Sequence, residues 1–567
     1  AQVGSNSPSA VQQLGLAMAF FQLVASTFET AGHGIATGAT ALVDEVTGGS
    51  VPEIRNARMD QERRMGQAAR RAEENARVVG GDVQRVLGTI GASTSALARI
   101  VGNREQLQRL TELIDTHDFV GLVRALGDGA DFPDDYFPAW IRRAGGYFPK
   151  FAQVLSVRAD LIHNPRVLAE FSRCLEDMPQ RDRRRVLALL RSLGWPAGVC
   201  DGLGEALNAG TIAQVNELVL PDGRPCVVKA TFEKTRRQVQ TDFRLFEHAG
   251  NILRALNLED ETAQTVGSLF AAVNRNEEAV MREFDLEAEA LQLVSAAELA
   301  AGEWPHAYGF WLDSAPAVLA GQPPAVAAYV QLARAAAAGA GAGWRVRVPE
   351  PVPDLIHQSA IVMSRAGGES MHRLLSGSNG DAGRQEAAGA LIGIAIPFIG
   401  WMLLCKSTAH FGHVDPHPGN FRWCSASREL WVLDWGSSVQ LSRERRKALC
   451  MLIRLVADGA QAAQIGEAAT RFGLRGSDPD PAQLAHLVRG MLNATMAHAA
   501  PDAIHAAAVD HILDGVSEEV VPVVRCLAVL GGLLKELQQR IRNEHQQEVP
   551  LSLAALWGPF ATLGLAD

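Results

Sequence analysis

The chain has 567 residues, of which 47% are hydrophobic and 20% charged, and its formal net charge is −10. This length is sufficient for roughly two to four structural units, each with an ample hydrophobic core. The negative charge argues against nucleic acid as a partner, because a nucleic-acid-binding protein normally carries a basic surplus. The seven cysteines are scattered and form no C-x-x-C pair, which favours free thiols in a reducing compartment.

Residues 1–103 are predicted to form an N-terminal helical extension. Its apolar stretch from Val11 to Val24 is too short to span a bilayer comfortably, and its arginine-rich stretch 53–78 is partly balanced by acidic residues. A membrane or a partner protein could use either stretch, but we expect a helix packed on the body and a solvated helix face. The first residue is Ala1 rather than Met, which would fit either a removed organelle transit peptide or a trimmed chain.

Residues 104–200 are predicted to be helical, with Lys150 and Gln153 as neighbours on one helical face. After them, the alternating run Ile212–Leu220, a Pro-Asp-Gly turn and a strand that ends in Lys229 predict a β-hairpin. This hairpin begins a predicted sheet-containing region, 201–375. An insert is predicted near 301–345, where a low-complexity run of alanine and glycine indicates a mobile surface segment.

Residues 376–567 are predicted to be a large helical region. The stretch Ala387–Cys405 carries no charge and is long enough to span a membrane. We predict instead that it is a buried helix, because a polar loop that begins at His413 follows almost directly. We also expect a kink near Pro397, since proline breaks the hydrogen-bond ladder of a helix.

The most informative motif is H-V-D-P-H-P-G-N, which spans His413 to Asn420 and is followed by D-W-G at Asp434. Together they match the H-x-D-x-x-x-x-N and D-x-G motifs of a protein-kinase-like site. Such a site needs one carboxylate that faces the phosphoryl acceptor, and an amide oxygen and a second carboxylate that hold a metal ion. We therefore predict Asp415 as catalytic and Asn420 and Asp434 as metal ligands. We expect His413 to bond to the main chain near Asp434.

Two further parts of a kinase-like site lie upstream in the expected order. Lys229 ends a hairpin strand, where a kinase-like lysine contacts the α- and β-phosphates. Glu289 lies in a helical stretch and is predicted to hold that lysine in place. Taken alone, Lys229 would be interpreted as a surface side chain and Asp434 as a turn residue. Because they occur with the other motifs in the order of a kinase-like site, we interpret both as site residues.

Four further motifs stand out, and they are the alanine-rich loop at 208–215 in place of G-x-G-x-x-G, the Pro-His-Pro-Gly segment before Asn420, the Glu-x-Asp pair ahead of Glu289, and the segment K-F-A-Q-V-L-S-V-R-A-D-L from Lys150. Together they resemble the motifs of one group, the UbiB/AarF (ADCK-type) atypical protein-kinase-like family. The resemblance extends from about Tyr147 to about Ala457. The chain departs from the family pattern at Ala152, at Gly210 and Thr211, at Ser364 and at Trp435. None of these departures removes a predicted phosphate or metal ligand.

The resemblance implies an α+β, bilobal protein-kinase-like fold. A small antiparallel-sheet lobe and a large helical lobe are expected, with the N-terminal helical extension packed over the nucleotide site. ATP and Mg²⁺ are the implied ligands. The implied nucleotide-binding residues are Ala209, Gly210, Thr211, Gln214, Lys229 and Met363.

The same resemblance implies an autoinhibitory arrangement. Lys150 and Gln153 would face the carboxylates of Glu283 and Asp285 across the mouth of the site. An ion pair there would close the place where a protein substrate binds, so phosphorylation of other proteins is not expected.

Two functions remain open from the sequence. The first is an ATP-dependent UbiB-type kinase or ATPase that supports isoprenoid-quinone or lipid metabolism at an organelle membrane. Its implied location is the matrix side of the mitochondrial inner membrane, with a plastid or the bacterial cytoplasm as alternatives, and its implied partners are a lipid or quinone intermediate, a membrane surface and other proteins. The second is a kinase-fold structural or regulatory subunit of a larger membrane-associated complex.

Overall fold

A computed structural model describes residues 136–150, 152, 178, 180–255, 277–319, 344–377, 380–474, 481–493, 519–545 and 551–566. The predicted extension 1–103, Gln153 and the low-complexity run within 301–345 lie outside the described residues. Those described divide into two compact units. The first unit takes in the residues up to Arg181 together with Asn208–Gln214 and Thr231–Met281, and the second unit takes in the remainder.

The helices of the described residues are numbered in chain order. They are α1 Tyr136–Ala144, α2 Arg183–Ser192, α3 Ala197–Asp201, α4 Glu233–Ala255, α5 Glu277–Arg282, α6 Leu286–Gly302, α7 Trp304–Leu319, α8 Met371–Leu375, α9 Gly380–Ala390, α10 Ile396–Trp401, α11 Arg443–Ala457, α12 Ala462–Phe472, α13 Pro481–Asn493, α14 Val520–His545 and α15 Leu553–Ala566. Two π-helical turns, Leu391–Ala395 and Met402–Lys406, flank α10, and a 3₁₀ turn covers Pro418–Asn420.

The strands of the described residues form three sheets. They are β1 Leu203–Ala209, β2 Ala213–Val219, β3 Pro225–Thr231, β4 Arg345–Arg347, β5 Pro351–His357, β6 Ala360–Ser364, β7 Glu369–Ser370, β8 Gly412–His413, β9 Phe421–Cys424, β10 Glu429–Val432 and β11 Ser438–Val439. The strand orders are β1-β2-β3-β6-β5, β4-β10-β9-β7 and β11-β8. Strand β4 pairs with β10 in parallel. The pairs β9–β10, β8–β11, β3–β6, β5–β6 and β7–β9 are antiparallel. This mixture of helices and mainly antiparallel sheets confirms the predicted α+β fold and is consistent with a kinase-like bilobal arrangement.

An aromatic cluster organises the described part of the first unit. The ring of Tyr147 lies 4.5 Å from that of Phe243 and 5.8 Å from that of Phe246. The main-chain N–H of Tyr147 also donates to the Asp242 carboxylate at 2.8 Å. These contacts join the turn after α1 to helix α4. Lys150, three residues further along the chain, is 8% exposed.

The long apolar stretch of the second unit is buried, as predicted. The helical segment Gly383–Lys406 has a mean hydropathy of 2.1 over its most apolar window, and 94% of that window is inside the protein. Within the described residues it is the one helix with the length and composition of a membrane span. Its apolar side chains meet those of α11 and α15 in a shared core, so burial against protein accounts for its composition.

Pro397 lies inside this helical segment, near the start of α10. Proline has no N–H to donate, so a regular α-helix would lose a hydrogen bond here. A π-helical turn precedes it, in which the Ile396 N–H donates to the Leu391 carbonyl. The carbonyl of Ile396 accepts from the indole N–H of Trp557 in α15 at 2.9 Å. A Cβ on Gly400 would approach the Trp557 ring to 2.4 Å, so glycine is needed for this close packing.

The predicted insert near 301–345 begins with a helix of the core. Helix α7 places Trp304 and Trp311 at 1% and 0% exposure. The Trp304 ring packs edge-on against Phe398 at 5.2 Å, and the Trp311 indole donates to the Leu556 carbonyl at 2.8 Å. Residues 304–319 are therefore integral to the second unit, and 320–343 lie outside the described residues.

Candidate active site

The structure brings together three of the predicted site residues in one charged cluster. The Lys229 ammonium donates to both carboxylate oxygens of Glu289 at 2.8 Å and to Oδ1 of Asp434 at 2.7 Å. The three residues are separated by up to 205 positions in the chain. The Lys229 and Glu289 side chains are 10% and 2% exposed, whereas that of Asp434 is 51% exposed. The cluster thus has a buried half and a half that is open to solvent.

The local sequence explains how Glu289 reaches the lysine. Helix α6 begins after Asp285, whose side chain accepts a hydrogen bond from the Ala288 N–H at 3.2 Å. Such an N-cap satisfies an amide that the first helical turn leaves without a partner. Glu289 follows one turn later on the buried face of the helix. The capping role of Asp285 was missed in the sequence, although Asp followed by a helical run is a recognised start signal.

The far part of α6 is tied to the segment that leads into the predicted catalytic loop, His413–Asn420. The Ser295 hydroxyl lies 2.7 Å from Nδ1 of His410, and the Glu303 carboxylate lies 2.5 Å from the Lys406 ammonium. These contacts fix the helix along its length, so the position of Glu289 does not depend on Lys229 alone.

Electrostatics keep Lys229 charged. Burial by itself lowers the pKa of this ammonium, but the carboxylates of Asp434 and Glu289 outweigh the burial and raise its pKa above the usual range. Burial also raises the pKa of Glu289, and the ammonium opposes that rise. The site therefore holds a permanent cation at a fixed position.

His413 organises the catalytic loop, as predicted. It lies at the end of β8 and is fully buried. Its Nε2 donates to the Leu433 carbonyl at 3.0 Å, and its Nδ1 accepts from the Asp415 N–H at 3.3 Å. Burial lowers the pKa of His413, which agrees with a neutral ring that donates through one nitrogen and accepts through the other. One side chain thus links the catalytic loop to the residue before Asp434.

Asn420 faces Asp415 across the loop. Its Nδ2 donates to the main-chain oxygen of Asp415 at 2.9 Å and lies 3.4 Å from Oδ2 of the carboxylate. The loop is stiffened by the 3₁₀ turn, where Nδ1 of His417 accepts from the Gly419 N–H at 3.1 Å. Because the amide nitrogen is used within the loop, the amide oxygen is the atom that Asn420 can offer to a cation.

Asp434 adopts an uncommon backbone conformation, with φ of 52°. Positive φ is costly for residues other than glycine, and Asp is among the side chains that tolerate it best. The next residue, Trp435, is fully buried, and its indole donates to the Val432 carbonyl at 3.2 Å while its ring meets His413 edge-on at 5.1 Å. Trp435 therefore holds the turn that presents the Asp434 carboxylate.

The donor set of this site fits a magnesium ion. Mg²⁺ prefers oxygen ligands and is usually held by one or two carboxylates together with waters and substrate phosphates. Asp434 supplies a carboxylate and Asn420 an amide oxygen. Among the residues that the structure describes, no cluster of three or more His, Cys, Asp or Glu side chains suits a metal ion, so a site made wholly of protein ligands, such as zinc requires, is not found there.

The predicted nucleotide loop joins β1 to β2 and belongs to the first unit. The Gly210 N–H donates to the Ala213 carbonyl at 2.8 Å, which closes the turn around Thr211, and Ala209 is buried. The Gln214 amide accepts from the Arg181 N–H at 2.7 Å and donates to the Arg181 carbonyl at 3.2 Å. This structural pairing of Gln214 was not anticipated. The nucleotide contacts of the loop remain predictions.

Two other predicted contacts also remain predictions. Met363 lies in β6 opposite Val227 and is 7% exposed. Lys150 belongs to the first unit, whereas Glu283 and Asp285 belong to the second, so their ion pair is not tested.

The fold, the Lys229 cluster and the catalytic loop define a kinase-like protein. Residues 329–466 match the family model of the ABC1 atypical kinase-like domain. Residues 329–466 are therefore similar to an ABC1 atypical kinase-like domain, which confirms the resemblance to the UbiB/AarF family and indicates nucleotide binding in general. The match contains Asp415, Asn420 and Asp434, while Lys229 and Glu289 lie before it.

Other comparisons add little about function. A search of curated proteins found no match. One similar solved structure is described as the complex of Rv3197 with erythromycin from Mycobacterium tuberculosis. Its sequence is 15% identical, the match covers 69% of this chain and 85% of that chain, and the TM-score is 0.41.

Proposed function

We propose that this protein binds Mg-ATP and transfers or hydrolyses the terminal phosphoryl group, as a UbiB-type atypical kinase or ATPase. The observation that carries the proposal is the buried Lys229 ammonium, held by Glu289 and in contact with Asp434. A buried lysine is costly unless it is paired, and a structural ion pair would not need a third, solvent-exposed carboxylate. Phosphate oxygens are ligands that this arrangement suits.

Each residue then has a distinct task. Lys229 has three N–H donors, so it can keep its contact with Glu289 when a phosphate oxygen replaces Asp434 as the third partner. Asp434 and Asn420 would hold Mg²⁺, which neutralises the charge that develops on the phosphates. Asp415 faces the acceptor. The acceptor oxygen forms a bond to the γ-phosphorus, the bond to the β–γ bridging oxygen breaks with its electron pair left on ADP, and the acceptor proton passes to Asp415.

The acceptor is proposed to be water or a small or lipid-like molecule rather than another protein. Helix α11 begins at Arg443, shortly after Asp434, and the intervening β11 is paired with β8. This short connection supports the proposal, because it leaves little chain to form a platform for a peptide substrate.

The wider role follows the resemblance to the UbiB family. We propose that the protein supports isoprenoid-quinone or lipid metabolism as a peripheral component of an organelle membrane, on the matrix side of the mitochondrial inner membrane, with protein partners. The apolar segment Gly383–Lys406 is committed to the core, which favours peripheral contact over a span through that segment.

The test is a titration of the purified protein with Mg-ATP. We expect the thermal midpoint of the wild type to rise with nucleotide, because a ligand that binds only the folded state stabilises it. Asp434→Asn should lose most of this rise, since the substitution removes the metal carboxylate. The matched control is Asp458→Asn, which removes an exposed carboxylate that pairs with Arg454 on α11.

The alternative is a kinase-fold structural or regulatory subunit. A wild type that shows no response to Mg-ATP at millimolar concentration would contradict the catalytic proposal and support this alternative. An equal response in Asp434→Asn and the wild type would contradict the assignment of Asp434 as the metal ligand.

A further inference from the structure

The catalytic carboxylate has a partner from a distant helix. Nη2 of Arg525, in α14, lies 3.2 Å from Oδ1 of Asp415, although the two residues are 110 positions apart. Their side chains are 45% and 22% exposed. An ion pair with this much exposure contributes little to folding stability, so stability does not explain why an arginine is placed here.

Helix α14 holds this arginine at a defined position. Val523, Cys526 and Leu530 bury one face of the helix in the core of the second unit. At its start, the Glu519 carboxylate accepts from the Ser442 N–H at 2.9 Å, which joins α14 to the beginning of α11. Arg525 therefore extends from a packed element and not from a loose tail.

The carboxylate of Asp415 is thus contacted at both oxygens. Nδ2 of Asn420 lies 3.4 Å from Oδ2, and the guanidinium of Arg525 lies 3.2 Å from Oδ1. The loop from His413 to Asn420 contains no lysine or arginine, so a guanidinium or ammonium beside Asp415 has to come from elsewhere in the chain. The positive charge at this position comes from tertiary structure.

We propose that Arg525 is a positioning residue of the phosphoryl-transfer site, which orients the Asp415 carboxylate toward the acceptor oxygen. The inference rests on the proposed phosphoryl transfer. A carboxylate that turns freely spends only part of its time aimed at the acceptor, whereas one held at both oxygens is aligned before the reaction begins. Arg525 lies outside residues 329–466, so the functional site extends beyond the part of the chain that matches the family model.

The experiment measures Mg-ATP affinity by calorimetry and ATP turnover by phosphate release in the full chain. The variants are Arg525→Met, which keeps an unbranched apolar stem without the guanidinium charge, and Arg525→Lys, which restores the charge. Lys535→Met is the matched control, because it removes a positive charge from an exposed position of the same helix.

We expect Arg525→Met to lower kcat by about tenfold or more, as for misplacement of a general base. The KM for ATP and the calorimetric Kd should stay within about twofold of the wild type, since Arg525 acts on the acceptor side. Arg525→Lys should recover part of the lost kcat, and Lys535→Met should behave as the wild type. An unchanged thermal midpoint in all three variants shows that folding is not the cause.

Three results would overturn the inference. An unchanged kcat in Arg525→Met removes the positioning role, and an increased kcat indicates an inhibitory contact instead. A parallel loss in Lys535→Met indicates a general charge effect. Failure of the proposed function is recognised separately, because the wild type itself would then bind no Mg-ATP, and the inference would fall with it.

Discussion

The two charged clusters of the site differ in their access to water. The Lys229 and Glu289 side chains are 10% and 2% exposed, whereas those of Asp415 and Arg525 are 22% and 45% exposed. In the buried cluster, removal of one partner leaves an uncompensated charge inside the protein. In the more exposed pair of Asp415 and Arg525, loss of the contact costs little folding stability, because water can solvate both charges. The difference fits the proposed roles, in which the buried cluster holds the nucleotide and the more exposed pair of Asp415 and Arg525 meets the acceptor.

Asp415→Asn is expected to have the largest effect, and it tests whether turnover and nucleotide binding depend on different residues. We expect ATP turnover to fall by about 10²- to 10⁴-fold, because the amide cannot accept the acceptor proton. Nucleotide binding should persist, since the buried cluster is intact. Phosphate-release kinetics and calorimetry on the same preparation check both parts. Loss of binding together with turnover would show that the two clusters are not separable in function.

A second substitution, Glu289→Gln, tests the buried cluster. We expect a loss of roughly 2–4 kcal/mol in the free energy of unfolding, because Lys229 then lacks its buried carboxylate partner and retains only Asp434. Urea unfolding measures the loss, with Glu298→Gln as the control on an exposed position of the same helix. Equal stability of the two variants would mean that the buried ion pair does not hold the site together.

The smallest expected effect concerns pH and His413, which joins the two clusters. Burial lowers the folded-state pKa of His413, so the unfolded chain binds a proton first as the pH falls below about 6.5. The contribution of His413 to stability is therefore constant above that pH and is lost as the pH falls toward the folded-state pKa. The loss can be at most about 1.4 kcal/mol per pH unit.

Urea unfolding of the wild type and of His413→Gln at several pH values between 7.5 and 5.5 checks this expectation. The stability advantage of the wild type should narrow as the solution becomes acidic. His486→Gln, at an exposed position of α13, provides the control. A difference that stays constant over this range would show that the ring does not titrate as its burial requires.

Motif order in the sequence was sufficient to predict a kinase-like fold and the family that the chain resembles. The spacing of Asp415 and Asn420 within one loop restricts how the chain can fold locally, which is why both could be assigned to one site from the sequence. The main-chain bond of His413 near Asp434 was foreseeable for the same reason. The uncharged run Ala387–Cys405 was recognised as a core helix because a polar loop follows it so closely.

Tertiary structure decided the contacts that join distant segments. Nothing near Arg525 in the sequence shows that it meets Asp415, and nothing near Gln214 shows that its amide pairs with Arg181. A local pattern reports the preference of a few neighbouring residues for helix, strand or turn. Which side chains meet across the fold depends on how whole elements pack, and that packing is set by buried surfaces such as those of α7, α14 and α15 together.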